Sequence, residues 1–210
     1  TTRQWGNKSL TNWQMARQLW SPALDTSAMW RDYFSGRYGP AAATMRGFYE
    51  SLEYMLCNVS ELKYNLAGRL DKHSQVLYPG GHLVYEHQAG ERSDVPSLMD
   101  MHNAATTCRT LIDQTLSTPL PDRIRARVEE DERLFTYGEK TLEYFNLASR
   151  ASFALRDGQI DKARESFVDI QKLADQLRAD VTSTQFASSH ANAANAFSAT
   201  YATGVINWLE

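Results

Sequence analysis

At 210 residues the chain is long enough for one large domain or two small ones, with a sizeable buried core. Its 42% hydrophobic and 22% charged residues match ordinary globular usage. A net charge of -3 argues against a general nucleic-acid partner, which needs a basic stripe, and no apolar run approaches the ~20 residues that span a bilayer.

Apolar residues recur at helical spacing almost throughout. The first segment, about Leu10 to Trp20, sets Trp13, Ala16 and Trp20 on one face. Ser21-Pro22 interrupts it, because proline lacks a donor and disfavours helix at the residue before it. Asp25 is placed to cap a second helix carrying Trp30, Tyr33, Phe34 and Tyr38, which Gly39-Pro40 ends. A third stripe, Met45, Phe48, Tyr49, Leu52, Met55, Leu56, Val59 and Leu62, spans about five turns and requires cover from other helices.

Between residues 71 and 95 the pattern changes. Val76-Leu77-Tyr78, Pro79-Gly80-Gly81 and Leu83-Val84-Tyr85 read either as a small hairpin near residues 75–88 or as an ordered loop. Helical periodicity resumes with Leu98, Met101, Ala105, Cys108 and Ile112 and stops before Pro119 and Pro121. A long helix from about Asp122 turns Ile124, Val128, Phe135, Leu142 and Phe145 inward, and Asp157-Gly158 is a turn. Ile160, Ala163, Phe167, Ile170, Ala174, Leu177 and Val181 mark the next helix; Phe186, Ala193, Phe197 and Tyr201 mark the last. Helices of this length joined by short turns pack as antiparallel neighbours, so the expected fold is an all-α antiparallel bundle forming a single domain over residues 1–210. No fixed-period repeat stands out, which favours a bundle over a helical solenoid.

The residues offer little chemistry. His82, Glu86 and His87 are spaced H-x-x-x-E-H, which fits none of the zinc-protease motifs, so solvated loop residues are expected there and no metal or cofactor. Glu129, Glu130, Asp131 and Glu132, among Arg123, Arg125, Arg127 and Arg133, read as a salt-bridged solvent face. Glu50, Glu53 and Glu86 read as solvated rather than as a catalytic pair. Ser188, Ser189 and His190 fall in a helical stripe, with His190 on its apolar side. Cys57 and Cys108 lie outside any CxxC pattern and read as small buried apolar side chains. Asn7-Lys8-Ser9 and Asn58-Val59-Ser60 match the glycosylation sequon, a short pattern common by chance.

The aromatic residues carry the most functional weight. Trp5, Trp13, Trp20 and Trp30 crowd into the first thirty residues and are candidate carbohydrate or domain contacts. Tryptophans at helical spacing more often pack into a core or against a neighbouring domain, so that is the expectation for Trp13, Trp20 and Trp30. Trp5 precedes the periodic region and is the freest to meet a ligand or another domain.

The run from Asn12 to Asp25, with Trp13 after Asn, Arg17 before Leu19-Trp20, and then Pro22, Leu24 and Asp25, resembles the opening of the C-terminal helical region of α-glucuronidase-like glycoside hydrolases. It is especially similar to an uncharacterised bacterial domain family that accompanies glycosidase modules. Tyr38-Gly39-Pro40-Ala41-Ala42, followed by Met45 and Tyr49, extends the likeness, which covers about residues 12–56.

The resemblance implies a preceding (β/α)8 barrel that supplies the catalytic carboxylates from its strand ends. It implies a helical region that packs on that barrel, borders its cleft and contributes to dimer contacts. It carries no catalytic residue onto this chain. The expectation is a C-terminal, non-catalytic accessory domain, extracellular or periplasmic, of a longer chain whose first residue is not Thr1. Its partners would be the barrel, an oligosaccharide or a second copy. An autonomous carbohydrate-binding module and a helical protein-interaction or dimerisation domain, the latter using Phe167, Ile170, Leu177, Phe186 and Phe197, are the alternatives.

Overall fold

Several helices begin or end where local chemistry supplies partners for their unpaired backbone groups. The computed structural model describes residues 9–57 and 96–182. Among these residues the protein is all-α: α1 Ser9–Trp20, α2 Thr26–Tyr38, α3 Ala42–Leu56, α4 Leu98–Ser117, α5 Asp122–Arg156 and α6 Ile160–Thr182, with a 3-10 turn at Gly39–Ala41. Several sequence expectations lie outside the described residues: Trp5, the hairpin or loop at 75–88, His82, Glu86 and His87, and the continuation of α3 through Val59 and Leu62. The Asn58 sequon, Ser188 to His190 and the Phe186–Tyr201 helix lie outside them too.

The boundaries follow the expected signals. Asp25 accepts from the backbone N–H groups of Ser27 and Ala28, at 3.3 and 2.9 Å, and so caps α2. Gly39 ends that helix with φ +51, its own N–H reaching the Ser35 carbonyl. Ser97 and Asp100 form a reciprocal box at the start of α4. The Asp100 carboxylate accepts from the Ser97 backbone N–H and hydroxyl, while Ser97 Oγ accepts from the Asp100 N–H. At the far end of α4, Arg125 donates to the carbonyls of Leu116 and Thr118, placing a cation where the helix dipole is negative. α5 closes with Gly158 at φ +73 and the Gln159 N–H on the Ala154 carbonyl, the longer bond of a Schellman motif.

The chain divides into two compact units, residues 1–51 with 107–136 and residues 52–106 with 137–210. In the first unit, α1 and α2 run antiparallel, since Ser9 meets Tyr33 while Gln14, further along α1, meets Trp30. α2 buries Met29, Tyr33, Phe34 and Tyr38; α3 buries Met45 and Phe48; α4 buries Cys108, Ile112 and Thr115; α5 buries Val128, Asp131 and Phe135. Aromatic edges knit these together: Phe48 meets Phe135 at 5.5 Å and Phe34 meets Tyr49 at 5.3 Å, both close to edge-to-face. Each such pair contributes about 0.5–1.5 kcal/mol beyond the burial of its area. Gly47 admits the Leu111 side chain of α4 close to α3.

The second unit packs the C-terminal part of α5 against α6. Tyr144, Leu147, Ala148 and Ala151 form a cluster with Ile170, Ala174 and Leu177. Met55, Leu98, Met101, Ala104, Ala105, Leu142 and Ala163 are also buried in this unit. Gly138 lies beside Met55, whose methyl sits 3.8 Å from where a β-carbon would stand. The α6 stripe is narrower than its sequence suggests: Ala163, Ile170, Ala174 and Leu177 face inward, but Ile160 and Phe167 are about half exposed and Val168 more so. Cys57 is exposed rather than buried, because α3 has just ended, whereas Cys108 is fully buried with its thiol directed at the Phe48 carbonyl. Neither forms a disulfide.

Candidate functional site

The three described tryptophans take different places. Trp30 is half-buried on α2, edge-on to Phe34, with its indole N–H donating to Gln14 Oε1 at 3.2 Å. Trp13 is half-buried on α1 against the Tyr33 ring at 5.6 Å, with the Arg17 guanidinium 5.4 Å above it. Trp20 does not pack into the core. It is 92% exposed, and Leu19 beside it is 80% exposed.

The reason is positional. α1 packs on α2 through Ser9, Trp13 and Gln14, in its first half, and beyond them reaches it through the exposed Arg17–Asp32 ion pair at 3.7 Å. Trp20 closes the helix just before the Ser21-Pro22 turn, past the residues that α2 covers. Met15, one turn before Leu19 on the same face, is 55% exposed. Met15, Leu19 and Trp20 are therefore exposed apolar neighbours on the second half of α1. Single exposed apolar residues are common, but three neighbours on one turn and a half mark a surface that can bind.

A second constellation, buried in the first unit, departs from the sequence reading. Asp131 stands in the acidic run of α5, yet it is only 5% exposed. Its Oδ2 accepts from the Tyr38 hydroxyl at 2.5 Å and its Oδ1 from the Tyr49 hydroxyl at 3.2 Å. Arg37 donates through Nε to the Tyr38 oxygen at 2.9 Å, and its Nη2 lies 3.8 Å from Oδ1 and 3.5 Å from Glu130. Tyr33, joined to Ser9 at 2.6 Å, completes the set.

Burial raises the Asp131 carboxyl to about 6, although the Tyr38 hydroxyl, the Arg37 charge and the Tyr49 hydroxyl pull it down. The same burial, with the Asp131 charge next, pushes both Tyr38 and Tyr49 well above the usual phenol range. Tyr38 and Asp131 lie inside the helix packing, while Tyr49 and Arg37 are partly exposed.

The rest of the acidic run behaves differently from the helix face expected of it. Glu130 pairs with Arg37, and Glu132 with Arg109 at 3.2 Å, so both reach other helices. Arg127 donates to the Arg37 and Gly36 carbonyls at the end of α2. Arg123, Glu129 and Arg133 stay on the exposed face. The signal for Asp131 was in the sequence: it falls three residues after Val128 and four before Phe135, on the stripe that faces inward.

Glu50 pairs with Arg46 at 2.8 Å on the exposed face of α3, and Glu53 is exposed, as expected of solvated carboxylates. In the second unit His102 Nδ1 lies 3.0 Å from Glu143, which also accepts from Asn146. Among the described residues no group of three or more histidine, cysteine or acidic side chains is arranged to hold a metal ion. No helix among them is long and apolar enough to cross a membrane. Compared with protein-family models, curated proteins and solved structures, the chain finds no match.

Proposed function

We propose that this chain is a non-catalytic, accessory helical domain of a glycoside hydrolase-like, carbohydrate-processing protein, and that it docks on the catalytic domain through the outer face of α1. One observation carries the reading. The segment that resembles the helical region of those enzymes, Asn12 to Asp25, is the segment that leaves Met15, Leu19 and Trp20 bare. An indole 92% exposed beside a leucine 80% exposed has the aromatic-plus-aliphatic make-up of an interface anchor. The buried acid Asp131 is tied up by its tyrosines rather than aimed at solvent, which also favours a supporting role.

The test is turnover of aryl glycosides and aryl glucuronides by the purified chain. None is expected. Turnover lost on substituting Asp131→Asn or Glu143→Gln in a folded protein would replace this reading with an enzyme.

The bareness of Trp20 supports a second reading, in which its flat ring stacks on a sugar. Titration with plant and host oligosaccharides, followed by tryptophan fluorescence, separates the two. A saturable response absent from Trp20→Ala would make the patch a sugar platform; a flat response keeps it as a domain contact.

A further inference from the structure

We propose that Asp131, Tyr38 and Tyr49 form a proton-binding site, in which uptake of a proton closes a ring of three hydrogen bonds tying α2, α3 and α5 together.

Three oxygen–oxygen contacts form a triangle: Tyr38 to Asp131 at 2.5 Å, Tyr49 to Asp131 at 3.2 Å and Tyr38 to Tyr49 at 3.1 Å. Each phenol carries one hydrogen and an ionised carboxylate carries none. With Asp131 ionised, two hydrogens serve three contacts. Both then point at the carboxylate, and the phenol oxygens face each other at 3.1 Å with no hydrogen between them.

Arg37 does not fill the gap. Its Nε donates to the outer side of the Tyr38 oxygen, and its Nη2 stands 3.8 Å from Oδ1, beyond hydrogen-bond reach and shared with Glu130. A third hydrogen on Asp131 completes the triangle. The acid then donates to Tyr49, Tyr49 donates to Tyr38, and Tyr38 donates back to Asp131 Oδ2. The Tyr38 oxygen still accepts from Arg37, which keeps Glu130 as its counter-charge.

The charged and titratable groups facing the carboxyl are Arg37, Tyr33 and Tyr38 from α2, Tyr49 from α3, and Glu130 from its own helix. Only Arg37 is a cation. Glu130 and the burial of the site both disfavour a second negative charge, in keeping with a carboxyl raised to about 6. The event is protonation and nothing more: a solvent proton adds to one carboxylate oxygen, and no bond between heavy atoms changes.

The experiment is a titration of the Asp131 side-chain carboxyl carbon by NMR in the intact chain. It is paired with thermal unfolding of the wild type and of Asp131→Asn from pH 4 to pH 8. The amide has a donor on one atom and an acceptor on the other, as the protonated acid does. Expected are a midpoint above about pH 5 and a wild-type unfolding temperature that drops, relative to Asp131→Asn, as pH rises through that midpoint. A midpoint in the ordinary carboxylate range overturns the proposal, and so does a constant difference between the two proteins. If Asp131→Asn does not fold, the carbon titration decides alone.

Discussion

The Arg109 guanidinium lies over the ring of Phe135, 5.1 Å from its centroid, while its two terminal nitrogens reach Glu132 at 3.2 Å and Thr136 Oγ1 at 2.8 Å. One side chain of α4 thus meets three successive positions on the facing side of α5. The planar fork is what allows it, because a lysine offers a single point charge. Arg109→Ala is expected to lower stability by about 1–2 kcal/mol, and Arg109→Lys to recover less than half of that. Glu132→Gln costs under about 1 kcal/mol, since the ion pair is partly solvated. Denaturant unfolding of the three variants checks this; equal stability of Lys and Arg at position 109 would show the stacking to be idle.

Two glycines with positive φ separate backbone strain from crowding. Gly39 has φ +51, and a β-carbon there would lie 2.9 Å from Ile124 Cδ1. Gly158 has φ +73 with open space around it. Gly39→Ala is expected to cost about 2–3 kcal/mol, and Gly158→Ala about 1 kcal/mol. Asparagine, which tolerates the left-handed region, should restore much of the loss at position 158 and little at 39. Thermal unfolding of the four variants gives the answer.

Caps are local, and this explains how much of the fold was legible in the sequence. Asp25 could be named as a cap because its partners are two and three residues away. Gly39-Pro40 and Asp157-Gly158 mark turns for the same reason. What periodicity cannot supply is the reach of a neighbour. Trp13, Ala16 and Trp20 share a stripe on paper, but beyond Gln14 α1 reaches α2 through an exposed ion pair at Arg17, and Trp20 stays bare. Phe167 is exposed within the α6 stripe in the same way. Asp131 was hidden by its company: four acids in a row suggest solvent, although helical spacing turns one of the four onto the stripe of Val128 and Phe135.

The caps themselves are testable. Asp25→Ala removes the acceptor for two backbone donors at the start of α2 and is expected to cost about 1 kcal/mol. Ser97→Ala should cost more, toward about 2 kcal/mol, because Ser97 is buried and its box with Asp100 loses both directions at once. The comparison is made by denaturant unfolding, with hydrogen exchange at the first turns of α2 and α4 showing where each loss falls.

The sign of the pH effect at Asp131 follows from its direction. The carboxyl is raised in the fold to about 6 from an ordinary 3.8, so the folded state holds a proton that the unfolded chain releases earlier. Its stabilising contribution is complete below about pH 4 and is lost as pH rises through about 6, a loss of about 3 kcal/mol by neutral pH. Exposed carboxylates with favourable partners act in the opposite sense, so the useful quantity is wild-type stability minus that of Asp131→Asn. That difference should fall between pH 4 and pH 7 and then level off. A difference that rises with pH would mean that the tyrosines and Arg37 outweigh burial.

Trp20 and Trp30 make the sharpest contrast, because both lie in the first two helices yet their surroundings are opposite. Trp30 donates to Gln14 and packs on Phe34, so Trp30→Phe gives up a hydrogen bond between α1 and α2 and is expected to cost about 1 kcal/mol. Trp20→Ser, even combined with Leu19→Ser, removes side chains that stand in solvent and should change stability by no more than about 0.5 kcal/mol. The two tryptophans should also differ toward a soluble quencher such as acrylamide, with more of the quenching lost in Trp20→Phe than in Trp30→Phe. If the double serine variant loses about 1 kcal/mol or more, the patch is covered in solution by another part of the chain or by a second copy. Sedimentation tells these apart, because only the second copy makes the loss depend on protein concentration.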